Sequence, residues 1–281
     1  MSNYLLFNGE FQQDGERLLP VTNRGFCYGD GFFESMRVSN GKIPFLKGHW
    51  HRLLRVCEFL RLQIPESFTE ERFNQFALAL VKKNGLTNAR IRFQGYRTGE
   101  GRYAPENNLL GWSMVCQELE SSTFQLNKKG LYVEVCTTHS INPAPQSSFK
   151  SSNSLPYVLG GIFASENKLD DCFLLDCEGF IAETTGSNVF LLKGNELVTP
   201  DLSNGGVSGV MRSVVLQEAN TLGLQTTSEL VSFEDVLEAD ECFLTNASNG
   251  IQWIGAVGKK RFYKRGAEKF INHINAKFQL N

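Results

Sequence analysis

The chain has 281 residues, 41% of them hydrophobic and 21% charged, with 28 basic side chains against 30 acidic ones. That is enough apolar material for one large domain or two ordinary ones sharing an interface. A net charge of −2 leaves no basic surplus to neutralise a nucleic-acid backbone. No stretch reaches the roughly 18 apolar residues of a membrane span.

The opening segment MSNYLLFNGEFQQDGE lacks a basic leader and has only a short apolar run, so no secretory signal is expected. The seven cysteines form no CxxC pair and sit mostly among apolar neighbours, as reduced thiols of a cytoplasmic protein do. His49 and His51 fall in a helical pattern, where positions i and i+2 diverge, so no metal is expected. The basic runs near Lys82 and Lys259 read as solvated surface.

In chain order, Tyr4 to Phe11 reads as a strand, and Phe33 to Leu46 as a hairpin around Asn40-Gly41. A helix follows with Trp50, Leu53, Leu54, Cys57 and Leu60 at helical spacing. A second helix starts at a Thr69 cap, carries Phe73, Phe76, Ala77, Leu80 and Val81, and ends at Asn84-Gly85. Strands are expected at Ala89 to Tyr96 and Leu109 to Gln117. The polar stretch 118–127 reads as a linker between a small domain, 1–117, and a larger one, 128–281.

Beyond the linker come a strand at Leu131 to Thr137 and a Pro/Ser-rich segment. A helix capped by Ser154, with Pro156 in its first turn, runs to about Lys168. Strands at Cys172 to Asp176, Phe180 to Ala182 and Asn188 to Leu192 precede a turn at Lys193-Gly194-Asn195. A helix begins near Gly209, strands near Gln225 and Glu241 bracket a short helix from Ser232, and an amphipathic helix closes the chain. The class is α/β or α+β, in two lobes.

Three places could carry chemistry. Glycines 205, 206 and 209 lead into a helix start, whose free N–H groups suit an anion. Taken alone, such glycines are more often a turn. Lys150 lies among small and apolar residues with no acid nearby in sequence; a desolvated lysine becomes a Schiff-base nucleophile, whereas a solvated loop lysine does nothing. Glu183 ends an apolar strand, and a carboxylate there needs a cationic or hydrogen-bonding partner. A buried pyridinium or a structural arginine would each serve.

Five segments occur in order: RGFCYGDGFFES (Arg24 to Ser35), HWHRL (His49 to Leu53), FKSSNSL (Phe149 to Leu155), AETTGSNVF (Ala182 to Phe190) and SGVMR (Ser208 to Arg212). Together they resemble the class IV aminotransferases, pyridoxal-phosphate enzymes of fold type IV with a D-amino-acid aminotransferase-like architecture. The resemblance implies that Lys150 holds the cofactor as a Schiff base and then serves as base for the substrate Cα proton. It implies that Glu183 pairs with the pyridine nitrogen, that Arg52 clamps the phosphate, and that Gly209 and the amides of Val210 and Met211 cradle it. Ser187, Asn188, Thr245 and Asn246 fall where further cofactor contacts are made. Tyr28, Arg97 and Arg102 fall in the substrate pocket; Arg102 sits where D-amino-acid transaminases grip the substrate carboxylate, and Arg97 and Arg92 are rival ligands for it. The cofactor lies between the lobes in this family, and a homodimer is expected.

The chain departs from the family in three places. Gly209-Val210-Met211-Arg212 stands where transaminases usually read GITR, Ser154 where many members carry a tyrosine, and Ala104 where D-amino-acid transaminases carry a histidine. The first departure leans toward aminodeoxychorismate lyase, which releases pyruvate and 4-aminobenzoate. A branched-chain or D-amino-acid transaminase is the alternative. A non-catalytic pocket protein is disfavoured by the joint retention of Lys150, Glu183 and Arg52.

Overall fold

The computed structural model describes residues 4–279. Two units share the chain: the first runs to Ser122 and takes back Phe149–Asn153, and the second holds Thr123–Ser148 and the chain from Ser154 onward.

Unit 1 is built on an antiparallel sheet. Strands β1 (Tyr4–Phe7) and β2 (Glu10–Gln13) form a hairpin where one strand is expected. Asn8 and Gly9 both take positive φ, 49° and 94°, which is the two-residue turn that Asn-Gly favours. A short helix, α1 (Arg24–Tyr28), is capped by Asn23 and leads into β3 (Gly31–Val38). The hairpin expected over Phe33 to Leu46 shrinks to one pair, Ser39 with Lys42, across Asn40-Gly41. Pro44 has no N–H for a ladder and Phe45 turns left-handed at φ 59°, so the chain enters α2 (Leu46–Phe59) instead.

Helix α3 (Glu70–Lys83) starts where Thr69 accepts from the Arg72 amide at 3.3 Å. Strands β4 (Ala89–Arg97) and β5 (Leu110–Glu118) complete the order β2-β1-β5-β4-β3. The apolar sides of α2 and α3 meet this sheet in an aromatic core. Phe93 lies 5.5 Å from Phe73 edge-on and 5.8 Å from Trp112 in a stacked pair.

Phe149–Asn153 belongs to unit 1 although sequence order places Lys150 in the larger C-terminal domain; the structure corrects that expectation. The reason is an unfilled sheet edge. Strand β3 is the last strand, and its Phe33 amide donates to the Lys150 carbonyl at 2.8 Å, while the Ser152 amide donates to Gly31 O at 2.9 Å. Phe149 anchors the segment with its ring 5.4 Å from Phe59.

Unit 2 comprises β6 (Leu131–Val135), α4 (Leu155–Glu166), β7 (Asp171–Leu175), β8 (Ile181–Thr184), β9 (Asn188–Lys193) and β10 (Glu196–Pro200). Then follow α5 (Val210–Ala219), β11 (Gln225–Glu229), α6 (Phe233–Glu238), β12 (Glu241–Asn246), β13 (Gly250–Val257), β14 (Lys260–Arg261) and α7 (Arg265–Lys277). The sheet order is β11-β10-β9-β12-β13-β6-β7-β8, with β14 on β13. It mixes parallel pairs, such as β6 with β7, and antiparallel ones, such as β9 with β12. Ser232 and Asp235 form a reciprocal capping box at α6. Among the described residues no helix is long and apolar enough to cross a membrane.

Phe93 is fully buried at the centre of the unit 1 core. Phe93→Ala is expected to destabilise the protein by about 3–5 kcal/mol, read from urea unfolding.

Candidate active site

In unit 2 the geometry is organised by one carboxylate. Glu183, at the end of β8, is 3% exposed. Its Oε1 accepts the Tyr157 hydroxyl at 2.7 Å, and its Oε2 accepts the Asn188 side-chain amide and the Val207 backbone N–H, each at 3.1 Å. Burial pushes the Tyr157 phenol far above its ordinary value, and the neighbouring Glu183 charge and hydrogen bond push the same way. The proton therefore stays on the tyrosine, and Tyr157 donates.

Asn188 ties this carboxylate to the start of α5. Its Nδ2 donates to Glu183 and also to Val207 O at 2.8 Å. Its Oδ1 packs on Gly209 so closely that a Cβ there would lie 2.0 Å away, which is why residue 209 is glycine. Gly209 brings no side-chain cap to α5, so the first-turn amides of Val210 and Met211 have no such partner.

Across the sheet Asn188 is the register partner of Thr245. The Thr245 hydroxyl is buried with no hydrogen-bond partner, which costs free energy unless a ligand supplies one. Ser187 and Asn246 serve the surrounding turns: Asn246 Nδ2 donates to Ser187 Oγ at 2.9 Å, and its Oδ1 accepts from the Ser248 and Asn249 amides. Sequence reasoning missed Tyr157. Its link to Glu183 is made only by the packed fold.

In unit 1 the edge segment sets Lys150, half-buried, with Nζ 5.1 Å from the Phe33 ring. Arg92 stacks on that ring at 3.9 Å and donates to Gln94 Oε1 at 3.1 Å. Arg52 is buried and gripped by Glu34 through Nε and Nη2, both at 2.6 Å, while His49 Nδ1 lies 2.9 Å from Glu34 Oε2. Burial alone would raise the Glu34 carboxyl, but the Arg52 charge and the bonds from His49 and Arg52 outweigh it and hold the group down at about 2. Burial lowers His49, so it is neutral near pH 7.

Arg97 is buried and tied to three partners. Its Nε donates to Asp30 at 2.9 Å, Nη1 to Asn108 Oδ1 at 2.5 Å and Nη2 to Leu60 O at 2.8 Å. Asp30 also holds Arg24, which donates to the carbonyls of Gly101 at 2.8 Å and Arg102 at 2.5 Å. Through these bonds Arg24 shapes the loop carrying Arg102 and Tyr103. The Arg102 side chain is exposed, and Tyr28 lies 5.8 Å from Tyr103, ring to ring.

A family model for amino-transferase class IV matches residues 31–257. The chain belongs to that family. It is 30% identical over 250 residues to a putative branched-chain-amino-acid aminotransferase of Methanocaldococcus jannaschii, covering 87% of this chain and 84% of that one. It is 26% identical over 247 residues to the aminodeoxychorismate lyase of Bacillus subtilis, covering 85% and 82%. The fold matches the branched-chain aminotransferase of Thermoproteus uzoniensis crystallised with norvaline, with a TM-score of 0.86 at 22% identity, over 99% of this chain and 94% of that one.

Class IV aminotransferases are pyridoxal-phosphate enzymes, and pyridoxal 5′-phosphate is the cofactor. The residues present fit it. The orphaned Thr245 hydroxyl and the α5 amides offer phosphate donors around Asn188, and the Glu183 charge is solvated by three neutral donors.

Thr245→Val is expected to leave the cofactor-free protein equally stable or about 1 kcal/mol more stable, because an unsatisfied polar atom goes. The same variant should bind pyridoxal phosphate more weakly in a fluorescence titration. A second expectation concerns pH. Glu34 has a folded-state value of about 2 against an ordinary 4.5, so its contribution is full above pH 4.5 and lost as pH falls toward 2. Acid unfolding of Glu34→Gln should therefore show a flatter pH dependence across that window.

Proposed function

We propose that the chain is a pyridoxal-phosphate enzyme acting on a carboxylate-bearing amino substrate, with Lys150 as the Schiff-base lysine and Glu183 as partner of the pyridine nitrogen. The observation that carries the reading is the buried Glu183 carboxylate, which accepts hydrogen bonds from Tyr157, Asn188 and the Val207 amide. Bound pyridoxal phosphate supplies an electron sink for the pair left on a substrate carbon when its proton departs. Lys150 takes that proton at Nζ. Thr245 Oγ1 and the amides of Val210 and Met211 bind phosphate oxygens. Arg52 adds charge there from a guanidinium whose orientation Glu34 fixes, and it has five N–H groups to share among its partners. Arg92, which shares the Phe33 ring with Lys150, holds the substrate carboxylate. Arg102 and Tyr28 line the approach.

The finer reading is an aminodeoxychorismate lyase, supported by Gly209-Val210-Met211-Arg212 and by the Bacillus subtilis relative. After the proton leaves, such an enzyme expels enolpyruvate and forms an aromatic ring. A branched-chain transaminase is supported by the Methanocaldococcus jannaschii relative; there Lys150 returns the proton and a keto acid departs. A homodimer is supported by α4, whose Leu155, Val158, Leu159 and Ile162 are all exposed apolar side chains. Sedimentation showing only monomer would remove that part. The proposed setting is cytoplasmic.

The discriminating assay follows the visible spectrum and pyruvate release while 4-amino-4-deoxychorismate is added. Pyruvate accumulating with persistent yellow colour supports the lyase; colour without pyruvate, with turnover of leucine and a keto acid, supports the transaminase. Lys150→Ala should abolish turnover and the covalently held cofactor. Full activity in that variant would overturn the assignment of Lys150.

A further inference from the structure

Tyr157 sets a phenol hydroxyl against the buried Glu183 carboxylate. A phenylalanine would fill the same space. What the hydroxyl adds is a charge-assisted bond of 2.7 Å to Oε1, while Asn188 and the Val207 amide donate to Oε2. The tyrosine is also held in place by its surroundings. It lies in the first turn of α4, the carbonyl of Pro156 before it accepts His139 Nε2 at 2.8 Å, and the Val158 amide after it donates to Ser154 O at 3.1 Å.

We propose that Tyr157 is a positioning residue for the reaction, its hydroxyl fixing Oε1 of Glu183 and limiting how strongly that carboxylate draws the proton of the pyridine nitrogen. The proposal rests on the reading that Glu183 is the pyridine partner. The physical basis is competition. Each donor on a carboxylate stabilises its anionic form and lowers its affinity for a shared proton. With Tyr157 in place the proton stays on the ring nitrogen, where it makes the ring a better electron sink. Without the hydroxyl the carboxylate loses one donor, its proton affinity rises and the proton shifts toward Glu183. Tyr157 remains protonated across the working range, because burial and the adjacent charge both oppose its ionisation.

The test is nitrogen-15 NMR of the holoenzyme reconstituted with pyridoxal phosphate labelled at the ring nitrogen. In Tyr157→Phe the resonance should move downfield, toward the unprotonated pyridine. The turnover number should fall about tenfold, the size expected for one lost bond to a charged group, with KM little changed. Replacing Tyr157 by 3-fluorotyrosine gives a stronger donor of nearly the same shape, and should move the resonance upfield. A merely structural hydroxyl would not produce opposite shifts in the two variants. If Tyr157→Phe fails to retain cofactor, the fluorotyrosine protein carries the test alone.

Glu183→Gln separates the two levels of the inference. It should give the largest downfield shift, because its amide cannot balance a pyridinium. If that resonance does not move, the pairing of Glu183 with the ring is wrong. If it moves while neither Tyr157 variant changes the spectrum, the pairing stands and the role given to Tyr157 is overturned.

Discussion

The buried carboxylate of Glu183 is the constraint around which unit 2 is arranged. An ion removed from water costs several kcal/mol unless its lone pairs are met. Here they are met from three directions: a hydroxyl from α4, an amide side chain from β9 and a backbone N–H just before α5. The same asparagine that donates to Glu183 also donates to Val207 O, so the residues leading into α5 are pinned at both the N–H and the carbonyl of Val207. Two residues later Gly209 lies against Asn188 Oδ1, and α5 begins. Satisfying one charge thus places the helix end that offers its amides to an anion.

Unit 1 meets the same problem differently. Glu34 is equally buried, but a cation cancels it: Arg52 lies side-on along both oxygens and His49 adds a third contact. The result is an arginine with a fixed plane, since a bidentate pair specifies orientation as well as charge. Glu183 accepts from a hydroxyl, an amide side chain and a backbone N–H, with the Arg212 charge acting on it from further off, whereas Glu34 accepts directly from a guanidinium.

Much of the fold was legible because apolar spacing and caps are local signals. The Thr69 cap, the helix over Trp50 to Leu60 and the α5 start near Gly209 are all where spacing puts them. The misses have local causes too. At Asn8-Gly9 a two-residue turn splits the expected strand into a hairpin, and at Asn40-Gly41 the turn forms but Pro44 ends the pairing after one step. The placement of Phe149–Asn153 was not legible, because it depends on an open sheet edge more than a hundred residues away in sequence. For the same reason Arg97 and Arg92 could not be ranked. Their difference lies in Asp30, Asn108 and Leu60 around one of them and Phe33 under the other. Tyr157 was hidden because nothing in a sequence links residue 157 to residue 183 until the helix and strand are packed.

The departure at Met211 has its own structural consequence. Where a threonine would put a hydroxyl at the helix start, Met211 is 1% exposed and supplies only apolar packing and its amide. Thr245 carries a hydroxyl that is buried, unpartnered and set opposite Asn188. An unpartnered buried hydroxyl is a standing cost in the empty protein, recovered when an acceptor arrives. A dianionic phosphate is such an acceptor, and the α5 amides beside it favour negative charge. With methionine at 211, the polar groups offered here include the Thr245 hydroxyl on β12 and the backbone amides that open α5.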